Sequence, residues 1–107
     1  MKKIMLCCAA GMSTSMLVRK MNDVAQARGD EVEIAAFGAS EFEEKFRDYQ
    51  VVLLGPQIRY MQADLSAKAA EFNIPVVTID MMDYGMQRGE KVLDHALALI
   101  EQEGSRV

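Results

Sequence analysis

Two cysteines, Cys7 and Cys8, stand side by side where a short apolar run gives way to Ala9, Ala10, Gly11, Met12, Ser13, Thr14 and Ser15. Small side chains let a backbone approach a ligand closely, and Gly11 permits dihedrals that a larger residue resists. Successive backbone N–H groups in such a turn can form a nest for an anion. The hydroxyls of Ser13, Thr14 and Ser15 add donors. A helical pattern follows at once, and the N-terminus of a helix favours negative charge. The same field favours thiolate over thiol. A cysteine at the mouth of this loop therefore combines a nucleophile with a phosphate cradle, which is what a phosphocysteine intermediate requires. The plainer alternative is a pair of ordinary buried cysteines beside hydroxyls that cap a helix.

The two thiols are expected to differ. Cys7 ends a predicted strand over residues 2–7, where cysteine behaves as a small hydrophobe. Cys8 opens the loop and is assigned as nucleophile. A cysteine-dependent phosphatase loop carries arginine six positions after the cysteine, where it grips phosphate in a bidentate clamp. That position here is Thr14, and no Lys or Arg occurs between Cys8 and Arg19. Neutral donors and a helix end would hold the phosphate without promoting its hydrolysis. The expected chemistry is carriage: accept a phosphoryl group and pass it on.

The elements that must position this loop alternate between short apolar runs and amphipathic stretches. Strands are predicted over 2–7, 31–37, 50–55 and 74–80. The first, third and fourth are near-continuous apolar runs, as in strands covered on both faces. The second alternates Glu31 and Glu33 with Val32 and Ile34, as an edge strand does. Helical spacing runs from Ser13 to Gly29, with Met16, Leu17, Met21, Val24 and Ala25 on the apolar face. A short helix is expected after Ser40, with Ser40 and Glu43 as a capping box. A third runs from Pro56 to Phe72 on a stripe of Ile58, Met61, Leu65, Ala69 and Phe72. A fourth runs from Gly85 to Glu103 on Val92, Leu93, Ala96, Leu97 and Ile100. This alternation predicts an α/β fold: a three-layer, four-stranded parallel sheet in the order 2-1-3-4, flanked by helices. Ligands in such sheets bind at the switch point between strands one and three, beyond their carboxyl ends. The cysteine loop lies there.

The 107 residues suit one domain, 1–107, and a hydrophobic content of 50% suffices for a core without metal or disulfide staples. A formal net charge of -4 with no basic face argues against nucleic acid and anionic lipid. The apolar run Ile4-Met5-Leu6 is too short for a signal segment, and nothing approaches the length of a membrane span. A cytoplasmic location is expected. Adjacent cysteines give poor disulfide geometry. The absence of a CxxC pair and the single histidine argue against a metal site.

Three blocks, CAAGMSTSMLVRKM, VVLLGPQIRYM and IDMMDYGMQRGEKVLDHAL, together resemble the enzyme IIB component of the sugar phosphotransferase system. The lactose/chitobiose (cellobiose) class is the match, and the likeness covers nearly the whole chain as a single type-3-like IIB domain. The resemblance implies a fold related to low-molecular-weight tyrosine phosphatases and a phosphate loop over Ala9, Ala10, Gly11, Met12, Ser13, Thr14 and Ser15. It implies that Cys8 takes phosphate from a phosphohistidine on a IIA protein. Cys8 then gives it to a sugar, such as a β-linked disaccharide like cellobiose or chitobiose, that a membrane IIC protein imports. No cofactor is implied, and a monomer is expected.

Residues around the loop have two readings each. Gln57 and Tyr84 could rim the phosphate loop; otherwise Gln57 is a solvated first-turn residue and Tyr84 a packing residue. Asp80 and Asp83 could supply a general acid, but a turn or helix cap is the preferred reading. Met12, Met81, Met82 and Met86 either form an adaptable apolar docking surface or fill gaps in the core. His95 is expected on the surface, away from the active edge. Two other classes remain open: a cysteine-dependent phosphatase or arsenate-reductase-like enzyme, and a flavodoxin-like module whose hydroxyl loop binds a cofactor phosphate.

Overall fold

The computed structural model describes residues 1–9 and 14–104. Its strands are β1 (Lys2–Cys8), β2 (Val32–Gly38), β3 (Val51–Leu54) and β4 (Val76–Thr78). They form one parallel sheet in the order β2-β1-β3-β4, with β2 and β4 at the edges. The order and the edge position of β2 match the sequence-based expectation. The helices are α1 (Ser15–Arg28), α2 (Phe42–Lys45), α3 (Gln62–Ala70), α4 (Met81–Gly85) and α5 (Gly89–Gly104).

Side chains alternate across the sheet, so β1 feeds two cores. Ile4 and Leu6 point to one face, where they pack with Leu17 and Met21 of α1 and Leu93 and Ala96 of α5. Met5 and Cys7 point to the other, among Phe42, Phe46, Leu65 and Ala69. Phe42 and Phe46, one helical turn apart, stack with ring centroids 4.6 Å apart.

Several element boundaries differ from the sequence reading. β1 runs one residue further, because Cys8 still pairs with Gly38. β4 is shorter than 74–80: Pro75 has no N–H to contribute, although its carbonyl still accepts from Val52 N at 3.0 Å. The stretch from Pro56 begins as a 3₁₀ segment, Pro56–Met61, and becomes α-helical only at Gln62. The last predicted helix begins later than Gly85, at Gly89, after Gln87 in the left-handed region at φ 51°, and a separate short helix, Met81–Gly85, precedes it where no helix was expected. The capping box at Ser40 is not made. Ser40 lies inside a 3₁₀ turn, Ala39–Glu41, and α2 begins without a side-chain cap. Burial of the two phenylalanines sets that turn, overriding the local capping preference. Gly29 does end α1 in a left-handed conformation, at φ 77°.

Two apolar-stripe assignments also change. Met16 is exposed although it follows the spacing of α1, and Phe72 lies partly exposed beyond the end of α3. Leu17, Met21 and Ala25 of the predicted α1 stripe are buried as expected.

Candidate functional site

Cys8 is the last residue of β1, at the carboxyl edge of the sheet beside β3. Strand alternation turns it away from Cys7 and toward the side covered by α1 and α5. Cys7 has no exposed surface and sits in the opposite core. Its thiol is pushed up to about 11, first by burial and then by the nearby charges of Cys8 and Glu41. Cys7 thus stays protonated at neutral pH. Only 1% of the Cys8 surface is exposed.

Thr14 closes over Cys8. Its hydroxyl donates to the Cys8 Sγ at 3.6 Å, and the Thr14 side chain is fully buried. Thr14 precedes α1 directly, so the contact ties the end of β1 to the start of that helix. Ser15 is the first residue of α1 and is exposed. Ala9 is exposed next to Cys8, while Ala10, Gly11, Met12 and Ser13 lie outside the described residues.

The neighbouring strand supplies the other wall. Gly55 N donates to Cys7 O at 2.8 Å, which draws the end of β3 against β1. A Cβ on Gly55 would lie 3.4 Å from the Cys8 Cβ and 2.8 Å from the Gln57 Oε1. Gln57 is exposed, as a solvated first-turn residue would be, with its Oε1 over Gly55. The glycine was the missed signal: without a side chain there, the Gln57 side chain can lie over it.

Tyr84 packs against the core between the sheet and α1/α5, and its hydroxyl is buried without a hydrogen-bond partner among the described residues. Asp80 caps α4, accepting from Met82 N at 3.0 Å and Asp83 N at 3.1 Å. Asp83 accepts from Arg88 Nη1 at 3.4 Å. Both carboxylates are thus engaged in structural contacts. His95 is exposed, but it is less remote than expected: it lines a cleft of about 210 Å³ that also reaches Asp80, Asp83 and Lys91.

Met81, Met82 and Met86 are exposed by 62%, 61% and 62%, so they do not fill core gaps. Among the described residues no cluster of His, Cys, Asp or Glu could hold a metal ion, and no helix is long and apolar enough to cross a membrane.

This geometry provides a cysteine at the end of a central strand and, on its sulfur, the hydroxyl of the residue that precedes α1. Comparison with known proteins places the chain in one family. Residues 3–95 match the family model described as PTS system, Lactose/Cellobiose specific IIB subunit. The chain is 47% identical over 100 residues to the oligo-beta-mannoside-specific EIIB component of Bacillus subtilis, covering 94% of this chain and 97% of that protein. It is 28% identical over 101 residues to the lactose-specific EIICB component of Streptococcus mutans; the match covers 94% of this chain but only 17% of that longer protein. The solution structure of a cellobiose-specific IIB component from Borrelia burgdorferi superposes with a TM-score of 0.81 at 35% identity, covering 95% of this chain and 94% of that one. Sheet order and these matches agree: the chain belongs to the lactose/cellobiose-specific IIB subunits of the sugar phosphotransferase system and is a phosphotransferase.

Proposed function

We propose that the chain carries phosphate on Cys8 between a IIA phosphohistidine and a sugar bound by a membrane IIC protein. The Cys8 thiolate attacks the phosphorus, the S–P bond forms, and the N–P bond to imidazole breaks, leaving neutral imidazole once a proton is taken up. In the second step a sugar hydroxyl attacks the same phosphorus and releases its proton to solvent or to a base beside the bound sugar, the S–P bond breaks, and Cys8 returns as thiolate. Ala9 to Ser15 act as the phosphate loop through backbone N–H groups and hydroxyls, with Gln57 and Tyr84 at its rim. The observation that carries this reading is the Thr14 hydroxyl on the Cys8 sulfur at 3.6 Å. A hydrogen bond to sulfur stabilises the thiolate both as nucleophile and as leaving group. It does so at the position where a hydrolytic loop would place arginine.

The joining of the IIB and IIC names in the Streptococcus mutans relative supports IIC as the acceptor's host. The relatives named for oligo-beta-mannoside and cellobiose support a β-linked disaccharide as the sugar. The protein works in the cytoplasm as a monomer and one domain, 1–107, without a cofactor.

The test is intact mass after incubation with phosphoenolpyruvate, the general phosphotransferase proteins and a IIA of this class. One added phosphate on the wild type, absent from Cys8→Ser, is the expected result. Release of para-nitrophenol from its phosphate ester with no stable adduct would replace the carrier reading with a phosphatase.

A further inference from the structure

Among the described residues, large hydrophobic side chains are exposed at few places, and most of these share one edge. Met16 opens α1 after β1, Tyr60 follows β3, and Met81, Met82 and Met86 follow β4; all are 58% to 77% exposed. In a parallel sheet the segments leaving each strand lie at the same end, which is the end that carries Cys8. Two of these sulfurs are also in contact with hydrogen-bond donors. Gln87 Nε2 lies 3.8 Å from Met16 Sδ, joining the turn before α5 to the start of α1. Arg88 Nη2 lies 3.1 Å from Met86 Sδ. Met5 and Met21, by contrast, have no exposed surface.

Cys8, at the same end of the sheet, is 1% exposed. A protein donor can reach it only by laying its own surface over the surrounding segments. Apolar thioethers suit such a contact, being unbranched and polarizable. They are also the side chains that peroxide converts into polar ones.

We propose that Met16, Met81, Met82 and Met86 form a redox-sensitive docking rim for the phosphohistidine-bearing donor, switched off by reversible oxidation to methionine sulfoxide. This rests on the carrier reading above. Each thioether sulfur gives two electrons to hydrogen peroxide; the O–O bond breaks, one oxygen forms the S–O bond, and the other leaves as water. A thiol-dependent sulfoxide reductase reverses the change. The new oxygen is a strong acceptor, and at Met16 and Met86 the Gln87 amide and the Arg88 guanidinium are already placed to bind it. The oxidised rim is then held in a polar state that a partner's apolar face must desolvate.

The test treats the full chain with hydrogen peroxide, then with dithiothreitol to return any oxidised Cys8 to thiol, checked by thiol titration. A peptide mass map locates the added oxygens, and the initial rate of phosphorylation is read with a IIA that phosphorylates the untreated protein. The rim methionines should gain oxygen before Met5 and Met21. The rate should fall by about ten-fold or more and recover after sulfoxide reductase. The M16L/M81L/M82L/M86L variant, whatever its starting rate, should keep that rate after peroxide. An unchanged wild-type rate with all four sulfoxides present would overturn the proposal, as would equal slowing of the four-leucine variant. Either result leaves the carrier reading standing. Failure of untreated protein to take phosphate on Cys8 from any IIA would remove that reading and this one with it.

Discussion

The hydroxyl of Thr14 donates to the sulfur of Cys8 across 3.6 Å, from a side chain with no exposed surface. The contact joins the last residue of β1 to the residue that precedes α1. It places a neutral donor on the proposed nucleophile, where a phosphatase of similar loop spacing would place a cation; on the carrier reading, this suits a phosphoryl group which must leave again intact.

Removing the hydroxyl while keeping its shape tests the contact. Thr14→Val should raise the Cys8 pKa, because a hydrogen bond that favours the thiolate is lost. The rate of iodoacetamide alkylation, followed against pH, should shift to higher pH. Phosphorylation by IIA should slow about ten-fold, on the premise that the bond is worth about 1–1.5 kcal/mol. Thr14→Ser should restore both. An unchanged alkylation profile in Thr14→Val would mean that the hydroxyl does not act on the sulfur.

The two cysteines should separate cleanly in labelling. Cys8→Ser should abolish the phosphorylated species in intact mass, and Cys7→Ala should retain it. Cys7→Ser should fold less well, by about 1–3 kcal/mol, because a hydroxyl would be buried in an apolar core. Urea denaturation of Cys7→Ser beside Cys7→Ala measures that difference.

Cys7 also makes stability depend on alkaline pH. Its thiol is raised from 9.0 to about 11 in the folded chain, chiefly by burial. Above pH 9 the unfolded chain gives up this proton while the folded chain keeps it, so the unfolded state binds fewer protons and stability falls as pH rises. The contribution is fully present below about pH 9 and is lost progressively toward pH 11, amounting to about 2 kcal/mol. Denaturant midpoints at pH 8 and pH 10.5 should fall further for wild type than for Cys7→Ala. Parallel slopes in the two proteins would show that Cys7 does not titrate in this window.

Gly89 is where α5 meets α1. A Cβ there would lie 2.8 Å from the Lys20 carbonyl carbon and 2.9 Å from both the Lys20 Cβ and the Met21 N. Backbone cannot give way as a flexible side chain can. Gly89→Ala should destabilise by about 1–3 kcal/mol, as overpacking does, seen as a lower urea midpoint.

Gly55→Ala should behave differently. Its nearest neighbour is the Gln57 side chain at 2.8 Å, which can swing away, and the Cys8 Cβ at 3.4 Å is close to ordinary contact. Stability should change by about 1 kcal/mol or less, while phosphorylation of Cys8 slows because Gln57 is displaced. Equal loss of stability in both glycine variants would contradict the asymmetry.

What could be read from the sequence alone was what depends on neighbours along the chain. The apolar runs of Ile4 to Leu6 and Val51 to Leu54, with helical patterns between, determined a parallel sheet and its order. The end of the apolar run separated Cys7, read as core, from Cys8, read as the start of the loop, and Gly29 marked the end of α1; that the two thiols face opposite sides of the sheet needed the strand to extend through Cys8. The identities of Cys8 and Thr14, six residues apart, indicated a phosphoryl carrier. The rest needed the fold, because it depends on residues brought together from distant positions. Met16 fits the apolar spacing of α1, yet the stripe that faces the core is set by where α5 lies, and Met16 falls outside it. Ser40 offers a good cap, but packing of Phe42 and Phe46 places the helix start elsewhere. The break at Gln87 is invisible to periodicity and brings its amide to Met16, 71 residues away in the chain. Gly55 and Gln57 follow β3 and Cys8 ends β1, and only the pairing of those two strands shows that they meet.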